Sequence, residues 1–130
     1  MAFFDKIFGN NDSKVTSTSS IKWNQLTELK HLEEAIETSN ELPVLLFKHS
    51  TRCAISRMAL KGFEQEYSID ENEAKPYFLD LLEHRDISNK IAERLGVMHQ
   101  SPQLIIIKKG EAVYNASHSD IDASIAKEKI

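Results

Sequence analysis

From Ile21 onward the apolar positions fall into two alternating rhythms. Leu26, Leu29, Leu32, Ala35 and Ile36 recur at helical spacing through "QLTELKHLEEAIETS", and "TSNELP" then breaks the pattern. A short strand candidate, "IKW", precedes this helix, with Asn24 as its expected N-cap. "PVLLF" is a continuous apolar run, as expected for a strand covered on both faces. Met58, Ala59 and Phe63 predict a second helix, and "PYFLDLL" a second buried strand. Asp86 is placed to cap a helix carrying Ile87, Ile91 and Leu95, and Gly96 suits its C-terminal stop. "QLIIIKKGEAVY" reads as two strands around a tight Lys109-Gly110 turn. In "SDIDASIAKEKI", Ser119 and Asp122 stand at capping-box spacing, with Ile121 and Ile125 one turn apart.

The predicted order is therefore β-α-β-α-β-α-β-β-α. Strands that alternate with helices pair in parallel through crossovers, and the last two strands form an antiparallel hairpin. An α/β fold follows, with a mixed central sheet and helices on both faces. Residues 1–20 stand apart. "GNNDSKVTSTSS" has the small, polar, aperiodic character of a flexible linker, and Phe3, Phe4, Ile7 and Phe8 before it make one apolar stripe. The reading is a flexible N-terminal segment, 1–20, and one domain, 21–130.

Composition narrows the function. A chain of 130 residues with 41% apolar and 28% charged residues can build one soluble core. Its net charge of −4 argues against nonspecific binding to nucleic acid or anionic membrane. No apolar run approaches the roughly 20 residues of a membrane span, and "MAFFDKIFGNND" lacks the features of a secretory signal. A single cysteine excludes a disulfide scaffold. The expectation is a cytoplasmic protein whose thiol is kept reduced.

That thiol, Cys53, lies in "KHSTRCAIS", after a buried strand and at the opening of a helix. The carboxyl end of a strand in an α/β sheet is where sites gather. A helix N-terminus adds unpaired N–H groups and a positive dipole end, both of which favour thiolate over thiol. Lowering an ordinary thiol pKa by about two takes ~2.7 kcal/mol of differential stabilisation. Lys48, His49, Arg52, Arg57 and Lys61 surround Cys53, with no acid between Glu41 and Glu64. This basic run either stabilises a thiolate and draws in an anionic thiol partner, or is an ordinary solvated helix face. Ser56 occupies the position three residues on, where a Cys-x-x-Cys pair would carry its resolving thiol, and can there only hydrogen-bond the sulfur. Taken alone, Cys53 reads equally as a small buried apolar residue.

The second half of the chain tips this balance. "VMHQSPQLIII" places Ser101-Pro102 directly before an apolar strand leading into a glycine hairpin. In this, and in element order, the chain resembles thioredoxin-like domains. The resemblance implies that Pro102 is a cis-proline facing Cys53 and excluding metal from it, and that the backbone of Ser101 pairs with an incoming extended chain. "FKHSTRCAIS" with "HQSPQ" is similar to the monothiol bacilliredoxin family, over roughly Ile21 to the C-terminus. The family usually reads Thr-Cys-Pro-Ile-Ser at the nucleophile. Arg52 and Ala54 replace the flanking Thr and Pro, while Cys53, Ile55 and Ser56 are kept. Losing the proline frees a backbone N–H beside the sulfur.

What the resemblance implies is a thiol–disulfide oxidoreductase that removes bacillithiol from mixed disulfides on cytosolic proteins. Cys53 would be the nucleophile and Ser56 would hold the resolving position. Lys48 or Arg52 would draw in the malyl carboxylates, His49 would modulate the thiol, and Ala54, Ser101 and Pro102 would complete the substrate surface. No bound cofactor or metal is expected. Bacillithiol is the co-substrate, bacillithiolated proteins are the partners, and the protein is expected to act as a monomer. The alternative is a thioredoxin-like redox sensor or binding module whose Cys53 is capped by a low-molecular-weight thiol. An iron–sulfur scaffold fits less well, because such monothiol motifs carry Gly where Ala54 stands. An adaptor acting through "MAFFDKIF" is the remaining reading. Elsewhere, Trp23 is expected in the core or lining a groove, His99 to line the site, and Asp80 to point outward at a sheet edge. His31, His84 and His118 have no metal-ligand spacing.

Overall fold

Each apolar run finds a strand or a helix face in the computed structural model, which describes residues 21–130. The N-terminal segment and its apolar stripe lie outside the described residues. The elements are β1 (Asn24–Gln25), α1 (Leu29–Thr38), β2 (Val44–His49), α2 (Ala54–Glu66), β3 (Lys75–Asp80), α3 (Arg85–Leu95), β4 (Gln103–Lys108), β5 (Glu111–Ser117) and α4 (Ala123–Lys129), with a 3₁₀ turn at His118–Asp120 before the last helix.

The five strands form one sheet in the order β1-β3-β2-β4-β5. The first three run parallel, as helical crossovers require. Strand β4 lies antiparallel to β2, and β5 returns beside β4 through the Lys109-Gly110 turn. Both turn residues have positive φ, 55° and 78°. That is the signature of the tight hairpin turns that match strand twist.

Side chains alternate across the sheet. On one face Val44, Leu46, Tyr77, Leu79, Ile105 and Ile107 pack against Leu32, Ala35 and Ile36 of α1 and Ile87 and Ile91 of α3. On the other, Leu45, Phe47, Leu104 and Ile106 meet Phe63 of α2 and Ala123 and Ala126 of α4. Phe47, Phe63, Phe78 and Trp23 form an aromatic group on this second face, with Trp23 centroids 5.6–6.1 Å from the other three rings. Trp23 is thus a core residue, and its indole N–H donates to Glu64 Oε2 at 2.7 Å. Each large side chain sealed here contributes roughly 1.5–3 kcal/mol.

Four local expectations are corrected. The first strand is Asn24–Gln25, not Ile21–Trp23, and Asn24 caps nothing: its side chain donates to Pro76 O of the neighbouring strand at 3.0 Å. The first helix starts later because Glu28 is the N-cap, its N–H donating to His31 Nδ1 at 3.2 Å. In α3, His84 holds the cap position and Asp86 the first turn, where its charge suits the dipole. In the last segment Asp122 is itself the N-cap, accepting from Ser124 N and Ile125 N, so Ser119 does not cap and Ile121 precedes the helix. Gly96 ends α3 in the left-handed conformation at φ 67°, as expected.

Candidate active site

The site end of the sheet is where β2 and β3 finish and β4 begins. Strand β2 runs two residues beyond its apolar stretch, so Lys48 and His49 are strand residues and all six positions of β2 are buried. The chain then turns, with Cys53 N–H donating to Ser50 O at 3.1 Å. Cys53 has extended dihedrals (φ −100°, ψ 122°) and is the N-cap of α2, its carbonyl accepting the first helical bond from Arg57 N at 3.0 Å. It is a free, partly exposed thiol. Cys53 therefore sits at the amino end of a 13-residue helix and is not one of the fully buried residues.

The loop before β4 lies at the same end of the sheet. The Ser101–Pro102 peptide bond is cis. Lys48 pairs with Gln103 in the β2–β4 register, so Ser101 and Pro102 project from the same sheet end as the turn that carries Cys53. Pro102 is buried and its carbonyl accepts from His118 N at 3.1 Å. Ser101 Oγ is buried with no hydrogen-bond partner among the described residues.

The basic run around Cys53 divides in a way the sequence concealed. Arg52, Arg57 and Lys61 are exposed, as is Ala54. Arg57 Nη1 donates to Thr51 O at 3.2 Å, bracing the turn. Lys48 and His49 instead point to opposite faces of the sheet. His49 lies with Phe47 and Phe78 on the aromatic face, its ring centroid 5.5 Å from Phe78. Ser50 N–H donates to Ser56 Oγ at 3.0 Å, and the same oxygen is hydrogen-bonded to His49 Nδ1 at 2.8 Å. Burial lowers the His49 pKa; Asp80, its register neighbour, opposes that shift and Arg57 reinforces it.

Lys48 faces the other way and is fully buried. Its ammonium lies 2.7 Å from His99 Nδ1 and donates to Gln103 Oε1 at 3.3 Å. An ammonium can only donate, so His99 Nδ1 accepts and its ring proton sits on Nε2. Burial, together with Lys48 and Arg85, keeps the His99 pKa below its ordinary value. Burial also lowers the Lys48 pKa to about 8.

Two expected roles change accordingly. Lys48 does not present its ammonium to solvent, so it is not placed to draw in a substrate carboxylate; Arg52 keeps the exposure that role requires. Ser56 has its hydroxyl committed to His49 and the Ser50 amide rather than held in reserve for the sulfur. Asp80 is half-buried at the end of an interior strand, and its Oδ1 accepts from Leu82 N at 3.1 Å. His99 borders the proline loop, exposed on one side and bonded inward on the other. Gln103 and Ser88 are parts of this site that the sequence did not single out. The signal was faint: a glutamine heading an otherwise apolar strand, paired in register with a lysine. Ile55, Met58 and Met98 are exposed by 58%, 73% and 79%. The first two line an open groove between α2 and α4. Among the described residues no cluster of His, Cys, Asp and Glu could hold a metal ion, and no helix is long and apolar enough to cross a membrane.

The sheet order, the helix-capping thiol and the cis-proline loop together define a thioredoxin-fold thiol oxidoreductase. Solved structures share this architecture. A protein described as a candidate oxidoreductase with a thioredoxin fold is 32% identical, covering 81% of this chain and 90% of its own, with a TM-score of 0.69. Thioredoxins from Nicotiana alata (13% identical, 88% and 94% covered, TM-score 0.66) and Trypanosoma brucei brucei (12% identical, 83% and 87% covered, TM-score 0.65) share the fold. More narrowly, the family model described as monothiol bacilliredoxin BrxC matches residues 24–125, and the chain belongs to that family.

Proposed function

We propose that this protein removes bacillithiol from mixed disulfides on cytosolic proteins by a monothiol mechanism. The Cys53 thiolate attacks the bacillithiol sulfur of the mixed disulfide. The protein–bacillithiol S–S bond breaks, the client thiolate leaves and takes up a proton, and a Cys53–bacillithiol disulfide forms. Free bacillithiol, as thiolate, then attacks the bacillithiol sulfur of that adduct. Oxidised bacillithiol departs and the Cys53 thiolate is restored. Exchange of this kind depends on thiolate fraction, nucleophilicity and leaving-group pKa together.

The observation that carries this reading is the pairing of one partly exposed thiol at a helix N-cap with a cis Ser101–Pro102 loop at the same sheet end, in a chain with no second cysteine. A helix N-terminus favours the thiolate through its dipole and free N–H groups. The Ser50–Ser56–His49 chain of hydrogen bonds fixes the turn that presents the sulfur. Arg52, exposed beside Cys53, is the cation we assign to the malyl carboxylates. The backbone at Ser101 receives the client chain, and Ala54 leaves a backbone N–H open beside the sulfur. Ile55, Met58 and Met98 give exposed apolar surface suited to a protein client.

Intact-mass measurement after mixing with a bacillithiolated protein tests the reading. The expected result is one bacillithiol on Cys53 with release of the client thiol, and no transfer in Cys53→Ala. Equal transfer by the Ala variant would eliminate it.

A further inference from the structure

The polar group beneath the proline loop has no counterpart in the chemistry above. A buried ammonium normally pairs with a carboxylate. Lys48, fully buried, instead meets two neutral acceptors among the described residues: His99 Nδ1 at 2.7 Å and Gln103 Oε1 at 3.3 Å. Gln103 reaches the loop twice more. Its Nε2 donates to Met98 O at 3.1 Å, and its Oε1 accepts from Gln100 N at 3.4 Å. Ser88 Oγ, from α3, lies 3.3 Å from His99 Nδ1. Three consecutive loop residues, Met98, His99 and Gln100, are thereby tied to β2, β4 and α3. These are the residues that immediately precede Ser101–Pro102.

We propose that Lys48, His99 and Gln103 form a clamp that positions the Ser101 backbone for pairing with an extended client chain. The inference rests on the thiol-exchange reading above and extends it to a specificity device. Gln103 grips the loop backbone from below, and Lys48 locks Gln103 to the His99 ring. None of the three needs to touch the reacting sulfurs, so all three are positioning residues. Their contribution falls on substrates that have a backbone to pair. A small disulfide, with none, is indifferent to the clamp.

The test uses the full chain with two bacillithiol mixed disulfides, one on a short extended cysteine peptide and one on 2-mercaptoethanol. His99→Leu and Gln103→Leu are expected to lower kcat/KM for the peptide by roughly tenfold, mainly through KM, while the small disulfide changes by less than about twofold. His99→Asn, whose Oδ1 can replace Nδ1 as acceptor, restores the peptide rate. Equal losses on both substrates, no loss on either, or no rescue by Asn overturns the clamp. Amide hydrogen exchange across residues 97–102 reads the clamp without any turnover. It accelerates in both Leu variants while residues 50–53 stay unchanged, and unaltered exchange in 97–102 overturns the proposal. If the wild-type chain fails to react with either mixed disulfide, the thiol-exchange reading falls, and the exchange rates still decide whether the loop is clamped.

Discussion

Lys48 and His49 are neighbours on one strand, both buried, both polar, and they serve opposite faces of the sheet. His49 is held locally. Its partner Ser56 is seven residues away, and the same hydroxyl takes the Ser50 amide. Lys48 is held by residues 51 and 55 positions away. The local pair shapes the turn that carries the sulfur; the distant one reaches the loop that leads into β4. One strand thus ties down both the turn and the loop, and the strict two-residue alternation of β structure divides the labour.

Several measurements sharpen or break this contrast. The largest effect belongs to the aromatic packing on the His49 face. Phe47→Ala removes a fully buried ring that lies 5.5 Å from Phe63 and 5.9 Å from Trp23, and is expected to cost about 3–5 kcal/mol in urea unfolding. A loss under about 1 kcal/mol would contradict a sealed face.

Next comes the charge on the opposite face. The Lys48 pKa falls from 10.5 to about 8 on folding. Between those values the unfolded chain holds a proton that the folded chain has lost, so wild-type stability rises with pH there. Below about 8 both states are protonated and the buried charge costs its full amount. Relative to Lys48→Met, the wild type should gain about 1–3 kcal/mol from pH 8 to 10.5. A flat difference across that range would mean that Lys48 titrates as a surface lysine.

Ser56→Ala is expected to cost about 1–3 kcal/mol, because it leaves the Ser50 amide and the His49 ring without their partner. Ser56→Cys offers both groups only a weak sulfur partner and should recover little of that stability, which unfolding curves would reveal. The smallest effect lies away from both residues. Asp122→Ala should lower Tm slightly at neutral pH by removing the α4 cap. The Asp122 pKa is held down by Ser124 and Ile125. The cap's contribution is therefore complete above the ordinary carboxylate range and disappears as pH falls through the lowered value, so the two proteins should converge in acid.

Much of the architecture was legible beforehand, for reasons that differ by element. The "VLLF" and "LIII" runs are long enough to name buried strands, and Gly96 and Lys109-Gly110 mark points where the backbone takes positive φ. The first strand was misplaced because two residues carry no periodicity; only register against Tyr77 and Phe78 defines it. Asp122 rather than Ser119 caps the last helix because either can cap, and packing of Ala123 and Ala126 selects which does. At the site, the place of Cys53 after a buried strand was readable from its chain neighbours, while the cis Ser101–Pro102 bond followed only from the family resemblance. The fates of Lys48 and Gln103 were not readable. A lysine beside an arginine-rich turn looks solvated until the strand is known to extend through His49 and to face a glutamine across the sheet.

The single cysteine carries a kinetic consequence for the proposed exchange. On that proposal a sulfur joined to Cys53 would meet no intramolecular rescuer, and its departure would be a second-order event. The lifetime of the capped state would then scale inversely with whatever small mercaptan the surroundings supply, and the loaded fraction of the protein would become a running gauge of that supply.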